Sequence, residues 1–88
     1  MAYNGFKRVL MFFKSTTERV SGEQILSELS GYINTDSADV QVDDHSLTVQ
    51  FVTAESHDDM LERCNSVKHK VDSSFHERLF YKITVMSL

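Results

Sequence analysis

The stretch Val20-Ser21-Gly22-Glu23-Gln24-Ile25 sets the frame for the rest of the chain. The Ser21 hydroxyl is spaced to accept from the Gln24 N–H, and the Gln24 side chain to accept in return from the Ser21 N–H. Val20 can pack on Ile25 as a hydrophobic staple. A helix, α1, is therefore expected from Gly22. Ile25, Leu26, Leu29, Tyr32 and Ile33 then recur at helical spacing, with Glu23, Gln24, Glu28 and Ser30 on the other side, so α1 is expected to run to about Asn34.

Upstream, Phe6 to Lys14 (FKRVLMFFK) is short, aromatic and apolar on both alternating faces, which is the pattern of a central strand, β1. Downstream, Ala38, Val40 and Val42 alternate with Asp39, Gln41 and Asp43. After the turn Asp43-Asp44-His45-Ser46 the alternation resumes with Leu47, Val49 and Phe51. That predicts a hairpin of two strands, β2 and β3. Ser56 stands three residues before Asp59, a second capping signal, and opens α2. Its inward stripe reads Met60, Leu61, Cys64, Val67, Val71 and Phe75. Asp58, Asp59 and Glu62 suit its N-terminal dipole, and Lys68, His69 and Lys70 are expected to complement its other end. Arg78 to Met86 (RLFYKITVM) closes the chain as strand β4.

The order βαββαβ predicts an α+β two-layer sandwich of ferredoxin-like topology. Right-handed crossovers give one four-stranded antiparallel sheet, order 4-1-3-2, with two helices on one face. Ile25, Leu29, Ile33, Leu61, Cys64, Val71, Val49 and Phe51 are the expected core. The chain has 88 residues, no Pro and three Gly, so no linker or repeat divides it and residues 1–88 are expected to form one domain. With one cysteine, Cys64, no internal disulfide is available and stability has to come from packing.

Hydrophobic residues make up 41% and charged residues 25%, too ordinary a balance for a disordered chain. No apolar run reaches the roughly 18 residues of a membrane span, and Lys7 and Arg8 precede only the short run Val9 to Phe13, which is not a secretory leader. A soluble, cytoplasmic protein without membrane contact is expected.

The net charge of −4 is unevenly placed. From Val20 to Glu62 every Asp, Glu, Lys or Arg is an acid; the segments before and after are net basic. In the order 4-1-3-2 this becomes separation in space, with an acidic side on β2, β3 and α1. Asp36, Asp39, Asp43, Asp44, Asp58 and Asp59 are the expected contact residues for a partner protein with a basic surface. If Val9, Met11 and Phe13 face the helices, then Leu10, Phe12, Val52, Phe80 and Met86 share the open face. Such a patch points to self-association, and a homodimer is expected through this face or through the long edge of β4.

Catalytic chemistry is not legible. His45, His57, His69 and His76 have no zinc-site spacing, and one cysteine cannot complete such a site. Cys64, on the α2 stripe, reads as a packed thiol rather than a nucleophile. Gly5, Gly22 and Gly31 are isolated and build no phosphate loop; the amides at Gly22 could meet an anion, but the capping box already uses the site. An RNA-recognition reading requires aromatics that β3, Leu47-Thr48-Val49-Gln50-Phe51-Val52, does not carry, and an acidic hairpin repels phosphate. No metal and no cofactor is expected. The expected function is a non-enzymatic regulator, inhibitor or assembly subunit acting by protein–protein contact. A small-ligand sensing domain of the same topology is the alternative, with an RNA-binding domain third.

Overall fold

The computed structural model describes residues 5–88; the expectation of one domain over 1–88 includes residues 1–4, which lie outside the described ones. The elements are β1 (Lys7–Lys14), α1 (Gly22–Leu29), a 3-10 turn (Thr35–Ser37), β2 (Asp39–Val42), β3 (Ser46–Thr53), α2 (His57–Phe75) and β4 (Phe80–Ser87). The result is an α+β fold with one four-stranded sheet in the order β2-β3-β1-β4, which is 4-1-3-2 read from the other edge. Every neighbouring pair of strands is antiparallel.

Strand parity follows the alternation. Val9, Met11 and Phe13 of β1 and Leu47 and Val49 of β3 are fully buried, in one cluster with Ile25 and Leu29 of α1 and Met60, Cys64, Val67 and Val71 of α2. Both helices thus cover the same face. The capping signals act as read: Gln24 N–H donates to Ser21 Oγ at 3.1 Å and Ser21 N–H to Gln24 Oε1 at 2.8 Å. Asp59 N–H donates to Ser56 Oγ at 3.2 Å.

Four expectations need correction. First, α1 stops at Leu29 rather than near Asn34. Beyond it, the Gly31 N–H bonds to Glu28 O and the Tyr32 N–H to Leu29 O, a tighter winding that takes Tyr32 off the stripe and leaves it 40% exposed. Second, Ile33, Leu61 and Phe51 are not central core; they are half-buried and pack against its rim, where the Arg63 guanidinium lies 5.4 Å from the Phe51 ring centroid. Third, α2 runs to Phe75, with no basic residue in its last turn. Lys68, His69 and Lys70 therefore lie well inside the helix, and Lys68 pairs with Asp72 one turn on. The helix ends instead at His76, whose left-handed backbone (φ 52°) returns its N–H to Ser73 O and Asp72 O. Fourth, β4 begins at Phe80, two residues later than expected, while Leu79 turns into the core.

Candidate functional site

The residues expected at a partner surface fall near the two edges and on the open face of the sheet, except Asp58 and Asp59. At one edge is β2, only four residues long. Asp39 opens it, Asp36 lies in the preceding 3-10 turn, and Asp43 and Asp44 occupy the turn to β3; all four are exposed. That turn is built locally: Asp43 N–H donates to Ser46 O at 2.9 Å and Ser46 Oγ to Asp43 Oδ2 at 3.3 Å. The 3-10 turn is started by Asn34, whose Oδ1 accepts from the Asp36 N–H. Asp58 and Asp59 stand apart from these, exposed in the first turn of α2, where they complement the helix dipole. The six aspartates therefore form no single cluster. Asp43 and Asp44 lie at one end of β2, Asp36 and Asp39 at the other, and Asp58 and Asp59 on the helix layer.

Ion pairing separates these groups from Glu55 of the same segment. Glu55 is held by Arg63 through contacts of 2.6 to 3.1 Å, and that hydrogen bonding holds its carboxyl below the usual range. Among the described residues, the ion pairs are Arg63 with Glu55 and Lys68 with Asp72, and neither involves the six aspartates.

The β2–β3 turn is anchored against the start of α1. Gly22 N–H donates to Asp44 O at 3.0 Å, Ser15 N–H donates to His45 O at 2.9 Å, and His45 Nδ1 lies 3.1 Å from Val20 O. A Cβ on Gly22 would fall 2.1 Å from Asp43 O and 2.3 Å from Ser46 O. Glycine is thus required here by a close backbone approach, not by an anion. An open cleft of about 1000 Å³ follows this junction, with Lys14, Glu18, Glu23, Asp43, Asp44 and Phe80 among its lining residues. The interior between α1 and the sheet, the place for a sensing pocket, is filled by Ile25, Leu29, Leu47 and Val49.

The open face places together the residues expected there, with a composition that pairwise register makes plain. Arg8 lies between Val52 and Met86, Leu10 between Gln50 and Thr84, Phe12 between Thr48 and Lys82, and Lys14 between Ser46 and Phe80. Val52, Phe80 and Met86 are about half exposed, at 51%, 49% and 55%, whereas Leu10 and Phe12 are shielded to an intermediate degree. The Phe12 and Phe80 rings meet edge to face at 6.0 Å. The apolar side chains are interleaved with Arg8, Lys14 and Lys82 on β1 and β4, against Asp39 at the β2 edge. Cations thus lie on the β1 and β4 side of this face and an acid at its β2 edge.

The other candidate residues have structural partners. Cys64 is buried with its Sγ 3.9 Å from Met60 Sδ, and burial pushes its thiol pKa up. Among the described residues no group of three or more His, Cys, Asp or Glu is arranged to hold a metal ion. Sequence reasoning missed Glu77, which accepts from Ser15 Oγ and Thr17 Oγ1, both at 2.7 Å, and so ties the α2–β4 loop to the β1–α1 loop. These partners are more than fifty residues away in the chain, and no local pattern announces such a clasp. No helix among the described residues is long and apolar enough to cross a membrane. Comparison with protein-family models, with curated proteins and with solved structures finds no match.

Proposed function

We propose that this protein acts without catalysis, as a small regulator, inhibitor or assembly subunit that binds a partner protein through its acidic β2 edge. The ferredoxin-like reading of the topology belongs to the same proposal and rests on element order and strand order. One observation carries the functional reading: β2 is an outermost strand with exposed aspartates beyond both ends and no ion pair to them among the described residues. A basic surface can approach there without first displacing an internal cation. Asp39 and Asp43, four residues apart along an extended chain, span roughly 13 Å, enough for a lysine- or arginine-bearing strand or helix to bridge.

The test is affinity capture with the full chain against the triple variant Asp39→Lys, Asp43→Lys, Asp44→Lys. The expected outcome is a defined basic protein retained at low salt, lost above about 0.5 M salt where screening is short-ranged, and absent from the variant. A partner set and a salt dependence unchanged by the variant would remove the proposal. A melting temperature raised by a metabolite, with no protein retained, would favour the sensing alternative.

A further inference from the structure

The opposite edge carries an inference independent of the acidic one. Hydrogen-bond phase along the sheet is readable from its ends. Leu88 N–H donates to Phe6 O at 3.0 Å, and these two residues extend the β1–β4 register by one pair beyond Lys7 and Ser87. In an antiparallel ladder, hydrogen-bonded pairs recur every second residue, so Met86, Thr84, Lys82 and Phe80 direct their N–H and C=O groups toward β1. Ser15 N–H on His45 O gives the same phase for β1 and β3, with the odd-numbered residues of β1 bonded to β3. Tyr81, Ile83, Val85 and Ser87 therefore point their backbone groups outward. They lie on a strand of eight residues that no other described strand covers and that holds one charged side chain, Lys82, and no Pro.

The β2 edge has the contrary design. Asp43 N–H on Ser46 O puts the outward groups of β2 on Val40 and Val42 alone. Pairing Val40 of one copy with Val42 of another would set Asp39 against Asp43. In that register, the one that pairs both outward valines, the edge repels its own copy; at β4 the corresponding register has no such fence.

We propose that β4 is the dimer interface: two copies join β4 to β4 antiparallel about a two-fold axis at Ile83, making one eight-stranded sheet. This register opposes Ile83 to Ile83 and Tyr81 to Val85 as hydrogen-bonded pairs on the helix side, and Phe80 to Met86 on the open face. Each is an apolar match between residues that are half-buried or exposed in the single chain. Lys82 meets Thr84 of the other copy. A shift of the axis to Lys82 would place two lysines directly opposite, and a shift to Thr84 would set Tyr81 against Ser87. On the helix side Lys68, whose Nζ lies 5.9 Å from the Tyr81 ring centroid, is already matched by Asp72.

The register makes a test with opposite signs. Thr84 is exposed, and its side chain would face Lys82 of the other copy twice in each dimer. Sedimentation equilibrium of the full chain from about 5 to 300 µM should show a monomer–dimer equilibrium. Thr84→Glu should tighten it, and Thr84→Lys weaken it, each by about fivefold. High salt should bring the two variants together. Ile83→Pro, which removes an outward N–H and no β1–β4 bond, should give a monomer with native circular dichroism. A wild-type monomer throughout that range would overturn the proposal. So would equal effects of the two Thr84 variants, or an Ile83→Pro variant that folds and still dimerises. If Ile83→Pro fails to fold, the Thr84 pair decides.

Discussion

At the scale of single residues, Gly22 and Gly31 show how the same residue type serves opposite ends of one short helix. Gly22 is fixed by carbonyls closer than any Cβ could tolerate, those of Asp43 and Ser46. A Cβ placed on Gly31 would meet only Glu28 O, at 3.4 Å, which is ordinary contact. Gly22→Ala should therefore destabilise the protein by about 1–3 kcal/mol or more through forced separation of α1 from the β2–β3 turn. Gly31→Ala should be neutral or stabilising by up to about 1 kcal/mol, because it restricts the unfolded chain. Urea denaturation of the two variants checks both signs; equal losses would show that the close approach at Gly22 is not what decides. The need for a glycine at position 22 has no local sequence signal, since a capping box tolerates many residues at that place.

At the scale of elements, α1 is only eight residues long, well below the length at which a helix holds itself in water. Its capping box supplies the start, and packing supplies the rest. Ile25 and Leu29, one turn apart and fully buried, hold α1 to β3 and β2. Leu29→Ala should cost about 2–5 kcal/mol, a large fraction of a small protein's stability. Leu26→Ala, at the half-buried rim, should cost less than half of that; chemical denaturation with both variants measures the difference. The strands were legible for a related reason. A period of two places Val9, Met11 and Phe13 on one face and Leu10 and Phe12 on the other whatever surrounds them, whereas the helix ends depended on contacts made after folding.

At the scale of the whole molecule, two acid-sensitive ties differ in reach: Glu77 joins loops remote in the chain, whereas Glu55 ties the end of β3 to α2 just beyond it. Glu77 is held below the usual carboxylate range first by the Thr17 hydroxyl and then by that of Ser15. Glu55 is lowered first by Arg63. Both groups have a folded-state pKa below the ordinary value of 4.5, so the native state binds fewer protons than the unfolded one as these groups titrate. Their contribution is complete above that value and is lost as pH falls through the lowered ones. The urea midpoint should fall between about pH 5 and pH 3, and more gently in Glu77→Gln, which keeps the shape and loses the titration. An unchanged slope in that variant would place the acid sensitivity elsewhere.

The chain by itself determined the order of elements, both helix starts and the inward parity of β1 and β3, because capping geometry and hydrophobic period act over a few residues and survive in any compact arrangement. It also determined that no Lys or Arg interrupts the acids from Glu23 to Glu62. Tertiary structure alone decided that the six candidate aspartates divide among separate places, that Lys14 and Lys82 interleave with Phe12 and Phe80, and that Glu77 closes on Ser15 and Thr17. Each of these depends on register or on loops meeting across the sheet, and such contacts are set by the packing of the whole chain rather than by neighbours along it.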